Sequence, residues 1–353
     1  MTDFSLLGKL TIVIFSYNRH KYLVRTINYW SNYNVKLLVL DGSSTKLNDL
    51  CLQKKNIKYV YNTSGLYRRF LSSVNYIDTE FTILSSDDEF YLPSALSSCI
   101  EFLSKEIEFS NCGGRAIGFR TDKKNIFGMK AYPRLNDFCL GHNNAIDRVT
   151  KHFSNYVPAH FYSVMRTRKW KIICKFVFEK QYNLDAAFEL QVEFLCVVAG
   201  KSKIIPELMW MRNKEVLPIN FDLTKLEKKK WWLDKKYQNE KLDFLKRMKK
   251  ACDELLKHQE TKINEDTISK VFQIYINSLS DKKTFIGKIK KLMPYRIKRI
   301  IRSILSVKNR FIISKNISLR DEITLLEEQN VSVNHKCLNQ VISILQHSNN
   351  ENL

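Results

Sequence analysis

Three acids in a row, Asp87-Asp88-Glu89, follow the apolar stretch Phe81-Thr82-Ile83-Leu84 after two serines, Ser85 and Ser86. Adjacent carboxylates repel one another, and a divalent cation that bridges them to a phosphate relieves the repulsion. All-oxygen ligands of this kind suit Mg²⁺ or Mn²⁺. Another acid opens the turn Asp41-Gly42-Ser43-Ser44, behind the run Val35–Leu40. Its carboxylate can accept hydrogen bonds from a base or ribose, and Gly42 permits a tight turn with close ligand approach. Tyr17-Asn18-Arg19, behind the run Leu10–Phe15, offers a ring to stack and a guanidinium to pair. Each stretch also has an ordinary reading, since Asp87 can cap a helix and Asp-Gly-Ser is common turn chemistry.

The elements that must hold these residues are legible in the hydrophobic pattern. Leu10–Phe15, Val35–Leu40, Ile57–Tyr61 and Phe81–Leu84 are short apolar or β-branched runs near turn-forming residues, as strands require. Between them, His20–Ser31, Leu66–Ile77 and Ser94–Lys105 have helical spacing, the last with Pro93 at its first turn. Strand alternating with helix predicts an α/β fold with a mostly parallel sheet flanked by helices on both faces. In such sheets ligands bind beyond the carboxyl ends of the strands, where the three motifs lie.

Taken together, the stretches Thr11–Arg19, Leu38–Ser44 and Ile83–Asp88 resemble the nucleotide-sugar-binding half of GT-A fold (Rossmann-like) glycosyltransferases, in particular glycosyltransferase family 2 and its bacterial relatives. The resemblance covers roughly the first 100 residues, and the pattern to residue 212 is compatible with it. It implies that Phe15, Tyr17 and Arg19 line the nucleotide, and that Asp41 bonds the base. Asp87 and Asp88 then divide the contacts to the ribose and to the diphosphate with its metal. Arg68 or Arg69 matches a nucleotide-contacting position, and Arg69 is the candidate taken here. The chain departs from the commonest family pattern at Leu40-Asp41, where two acids are usual. It departs again at Ser85, where the first acid of the Asp-x-Asp motif often lies, a place Glu89 could fill.

Transfer of a sugar needs a base for the acceptor hydroxyl, and inverting members of the family use an acid at the start of a late helix. Asp185 and Glu189 are the candidates, with Glu189 the better match. Leu184, Phe188, Val192 and Leu195 form an apolar stripe, which predicts that Asp185, Glu189 and Glu193 share a neighbouring face. An exposed helix face is the alternative reading. His160 could bind metal or acceptor, or be a satisfied structural histidine. Gly113-Gly114-Arg115 could shape the donor sugar pocket or form a turn.

The balance of 58 basic against 36 acidic residues gives a net charge of +22, with most of the excess after Trp210. An anionic partner follows, whether nucleotide, nucleic acid, membrane headgroup or acidic glycan. Residues 1–215 are expected to be the nucleotide-sugar-binding and catalytic domain, and 216–353 a mainly helical, Lys/Arg-rich region for acceptor or membrane docking. Apolar residues from Phe285 to Leu305 alternate with Lys and Arg around Pro294, as in a helix lying on an anionic membrane surface. The segment Lys228-Lys229-Lys230-Trp231-Trp232 keeps open a nucleic-acid-binding alternative, which lacks any recognised motif. A nucleotide-sugar-binding protein without transfer activity is the third reading. Eight scattered cysteines without a Cys-x-x-Cys pair read as reduced thiols. With no leader-like start and no spanning apolar run, the expected location is cytoplasmic or peripheral on the inner face of the plasma membrane. The sequence reading is therefore an inverting, metal-dependent transferase that moves a sugar from a UDP-sugar to a surface polysaccharide or lipid-linked glycan.

Overall fold

The computed structural model describes residues 4–122, 125–214, 227–292 and 317–350. The four predicted strands are present as β1 (Leu10–Ser16), β2 (Lys36–Asp41), β3 (Ile57–Tyr61) and β4 (Phe81–Ser86). They pair in parallel in the order β3-β2-β1-β4. The sheet continues through the short antiparallel β9 (Val164–Arg166) to β6 (Phe109–Asp122) and β10 (Lys201–Asn213), which are parallel to one another. The minor strands β5 (Phe90–Tyr91), β7 (Asn125–Lys130) and β8 (Cys139–Leu140) run antiparallel to their neighbours. Register decides what meets at the edge. Ser16 lies beside Asp41 and Phe15 beside Ser86, so three strands end level and release their loops together.

Side chains alternate across the sheet as the pleat demands. Val13, Leu38 and Leu40 enter one core, whereas Ile12, Ile14, Leu37 and Val39 enter the other. The first core is covered by α2 (Leu66–Ser73), α4 (Ala145–Ser154), α5 (Thr167–Phe178) and α6 (Ala187–Ala199), and the second by α1 (His20–Trp30) and α3 (Pro93–Lys105). Gly113 and Gly114 lie inside β6 rather than in a turn, and their role is packing. A Cβ on Gly114 would stand 2.5 Å from Met209 Cβ on β10, so only glycine lets the two strands approach so closely.

The region expected to follow the catalytic domain divides between the two cores. Trp231, Phe244 and Phe272, from α7 (Lys228–Leu233), α8 (Gln238–Leu255) and α9 (Glu265–Leu292), join the first. Leu319, Ile323, Leu338 and Val341, from α10 (Leu319–Glu327) and α11 (His335–Asn350), join the second. Pro294 and the rest of 293–316 lie outside the described residues, although α9 carries helix through to Leu292. Among the described residues no helix is long and apolar enough to cross a membrane.

Candidate active site

The edge where β1, β2 and β4 end gathers the acids anticipated from the sequence. Asp87 sits just beyond β4 and is almost fully buried. One of its oxygens accepts from the Ser16 hydroxyl at 2.7 Å, and the other faces Arg19 Nη2 at 3.4 Å. Asp88 is also paired with Arg19 Nη2 and accepts from Asn213 Nδ2 at 3.4 Å. Helix α1 fixes this turn through its backbone, because Thr26 donates to the Asp87 carbonyl at 2.6 Å and Arg25 to the Asp88 carbonyl at 3.2 Å. Burial pushes the Asp87 carboxyl up to about 7 against the opposing pull of Arg19.

Glu89 turns to partners on β10 instead of Arg19. Its carboxylate accepts from Trp210 Nε1 at 2.8 Å and lies 3.6 Å from Arg212 Nε, and burial pushes it up to about 8. Trp210 is sandwiched between Tyr162 at 4.4 Å and Tyr132 at 5.2 Å, with Arg212 over the Trp210 and Tyr132 rings. Burial, then the neighbouring carboxylates of Glu89, Glu189 and Asp88, raise the Tyr162 phenol far above its ordinary value. Tyr162 thus stands within the fields of both the acid turn and the expected base.

Asp41 has no exposed surface. One oxygen accepts from the Ser43 amide at 2.9 Å and hydroxyl at 2.5 Å; the other accepts from Tyr59 at 2.6 Å and meets His20 Nε2 at 3.3 Å. Burial opposes the charge, but the bonds from Ser43 and Tyr59 hold the carboxyl below its usual range. A carboxylate so engaged acts on a ligand through the groups it orients, chiefly Ser43 and His20. Arg68 is exposed, while Arg69 is buried and donates to the Ser16 and Leu40 carbonyls at 2.8 and 3.3 Å. The Arg69 guanidinium lies against Gly42, where a Cβ would come within 2.1 Å of it, so Gly42 and Arg69 are one packing unit. Asn18, at φ 55°, ties the first loop to the second by accepting from the Ser44 amide at 2.8 Å. This leaves Tyr17 52% exposed, a ring free to stack, while Phe15 packs against Phe70.

Asp185, Glu189 and Glu193 do not share one accessible face. Asp185 precedes α6 and is exposed, Glu189 lies in its first turn, and Glu193 has no exposed surface. The physical reason is that α6 is buried almost all round, between α4, α5 and α8, so position 193 points inward. Glu189 retains 38% side-chain exposure, accepts from Tyr156 at 2.9 Å and lies 3.6 Å from Lys228 Nζ. Glu193 accepts five N–H groups: the amides of Ala159, His160 and Phe161 at 3.3, 3.0 and 2.9 Å, His160 Nδ1 at 2.8 Å and His152 Nε2 at 3.1 Å. The trio has metal-ligand residue types at close range. Its carboxylate is already saturated by donors, however, and it anchors the loop that leads into β9. His160 holds this loop to α6 through Glu193.

The donor set of Asp87 and Asp88, oxygen only and close to the Ser16 hydroxyl, has the chemistry of a Mg²⁺ or Mn²⁺ site, and a guanidinium already stands as a cation between them. Sequence reasoning missed Thr26, Tyr162, Trp210 and Asn213. The last two lie at the carboxyl end of a strand, which was the available signal. Trp231 and Trp232, by contrast, are buried and donate to Glu240 and Gln273, so neither ring is presented for nucleic-acid stacking.

No curated protein sequence matches the chain. Among solved structures it resembles TarS 1-349 of S. aureus, with TM-score 0.44, 13% identity, and coverage of 79% of this chain and 91% of that one. The same protein in complex with UDP-GlcNAc gives TM-score 0.44, 12% identity, and coverage of 79% and 92%. Residues 11–167, which hold β1 to β4, the acid turn and β9, match the family model for glycosyl transferase family 2. That match sets the acid turn within a glycosyl transferase family 2 segment, on an α/β sheet flanked by helices.

Proposed function

We propose that the protein transfers a sugar, with inversion, from a UDP-sugar to a glycan or lipid-linked glycan acceptor, with Mg²⁺ or Mn²⁺ as cofactor. The observation that carries the reading is the convergence of Arg19, Asp87 and Asp88 at the level ends of β1 and β4, inside the family-matching segment. Tyr17, 52% exposed, would stack on the base, and Ser43 and His20, which the buried Asp41 orients, would meet its edge. Asp87 and Asp88 would hold the cation, which when bound offsets the charge that develops on the departing diphosphate. Arg19 and Arg212 bring positive charge to the same turn.

Glu189 is the proposed base, with exposed Asp185 the alternative. Its carboxylate is steadied by Tyr156 and Lys228 yet open enough to accept the acceptor's hydroxyl proton as the anomeric carbon parts from the diphosphate. A titration of nucleotide sugars with and without Mn²⁺ tests the reading. Tight, metal-assisted binding of UDP-sugars is expected, and binding of single-stranded RNA alone at physiological salt would overturn it.

Presentation of a lipid-linked acceptor at the inner face of the plasma membrane would use the basic segment that begins in α9. Because α10 and α11 complete a core, truncation from 281 would expose apolar surface, and charge substitution is the sounder test. Lys290→Gln with Lys291→Gln should weaken sedimentation with anionic liposomes about 30-fold, at roughly 1 kcal/mol per charge. Unchanged sedimentation would remove this segment from the docking surface.

A further inference from the structure

Arg19 is placed unlike an ordinary surface arginine. It caps the start of α1 with a non-helical backbone, immediately after Asn18, whose left-handed conformation is braced by Ser43 and Ser44. The loop therefore aims the guanidinium into the acid turn. Its Nη2 contacts Asp88 and lies 3.4 Å from Asp87, while the Tyr22 ring sits 4.8 Å from Cζ on another side. The side chain is only 18% exposed, and its Nε is buried without a hydrogen-bond partner. A guanidinium that gives up water and leaves a donor unbonded is held by charge rather than by a complete hydrogen-bond set.

Three of the four carboxylate oxygens of the pair already face partners. Asp87 offers one oxygen to Ser16 and turns the other to Arg19, and Asp88 turns to Arg19 and Asn213. A divalent ion placed on the same two acids would meet the guanidinium at contact distance, in a largely buried site where like charges repel strongly. Occupancy by the metal and by Arg19 is therefore mutually exclusive at those oxygens.

We propose that Arg19 is the resident counter-cation of the Asp87–Asp88 pair and competes with the divalent metal for it, so that metal enters only when a nucleoside diphosphate draws the guanidinium away. This rests on the reading of Asp87 and Asp88 as the metal-holding pair. The diphosphate has the charge to do so, because it offers the planar guanidinium a bidentate anionic partner in exchange for the carboxylates. The free enzyme would then bind metal poorly, and metal and nucleotide would bind with positive coupling.

Mn²⁺ binding followed by the electron paramagnetic resonance signal of the free ion tests this without turnover, with circular dichroism as the folding control. Wild-type protein should bind Mn²⁺ weakly alone and at least tenfold more tightly with UDP. Arg19→Gln should bind Mn²⁺ alone at least tenfold more tightly than wild type, and UDP should add little. Arg19→Lys, which keeps the charge, should stay within about twofold of wild type in the absence of UDP, and covers the case in which the glutamine variant does not fold. If UDP promotes Mn²⁺ binding to wild type but folded Arg19→Gln binds Mn²⁺ alone no more tightly than wild type, or Arg19→Lys alone departs from wild type by more than about twofold, the competition is wrong and the metal site stands. If Mn²⁺ binds none of the proteins with or without UDP, the metal reading fails and the competition with it.

Discussion

Two buried carboxylate centres in this molecule are compensated in opposite ways. At Glu193 the charge is met by five N–H groups, three of them backbone amides fixed by the fold. At Asp87 and Asp88 it is met mainly by side chains, and chiefly by one guanidinium that is itself incompletely bonded. A carboxylate saturated by backbone cannot exchange partners without unfolding its loop, whereas one held by a side-chain cation can. Burial and charge are alike in the two places, and what separates structure from site is whether the partners are free to leave.

The largest expected effect lies at the saturated centre. Glu193→Ala would leave three buried amides and two imidazoles without their acceptor, at a cost of about 3–5 kcal/mol. Urea denaturation of the purified variant would measure this, and a loss under 1 kcal/mol would mean that the loop finds other acceptors. Glu189, with one hydroxyl and one ammonium as partners, lies between the extremes. Glu189→Gln is expected to unfold at the same urea concentration as wild type while transfer slows ~10²-fold or more. Near-normal turnover would move the base to Asp185.

At the exchangeable centre the sign should reverse, with binding lost and stability kept. Asp88→Asn preserves volume and removes one charge, so metal-assisted UDP binding should weaken by about 1 kcal/mol or more in calorimetry, with no fall in melting temperature. A stability loss like that of the Glu193 variant would erase the distinction between the two centres.

The smallest effect is the response of the saturated centre to acid. Burial depresses His152, against the pull of Glu193, so the unfolded chain takes up a proton near ~6.5 that the native state refuses. Glu193 is also held well below its ordinary value, by His160 and His152 against the cost of burial. Both shifts have one sign: stability is full above ~6.5, declines as His152 protonates in the unfolded chain, and falls further below ~4.5 as Glu193 follows. Denaturation at pH 7.5, 6 and 5 should show a monotonic decline. A maximum near pH 5 would mean that the cluster gains a proton on folding.

Much of the first hundred residues was legible because local pattern and tertiary role agree there. Runs of β-branched residues that are buried on both faces become parallel strands, and the turn residues behind them have nowhere to go but the sheet's carboxyl edge. The spacing of Asp41, Asp87 and Asp88 behind their strands therefore placed them correctly. The late helix was legible as a helix but not as to its faces. Leu184, Phe188, Val192 and Leu195 imply one buried stripe, but α6 lies between helices on several sides, so amphipathic logic mispositioned Glu193.

What the sequence by itself determined is the class of the fold, the strand ends that would carry the acids, and the kind of chemistry that three adjacent carboxylates permit. Only the tertiary structure decided which acids remain exchangeable. Register set Phe15 beside Ser86 and so brought the Arg19 loop to Asp87, and β10 delivered Trp210 to Glu89 from 121 positions away. It likewise sent Trp231 and Trp232 inward and folded the C-terminal helices onto both faces of the sheet. The reason is physical: local sequence fixes periodicity and turn geometry, while the partners that saturate a charge or leave it free come from distant segments that meet only when the sheet has closed its register.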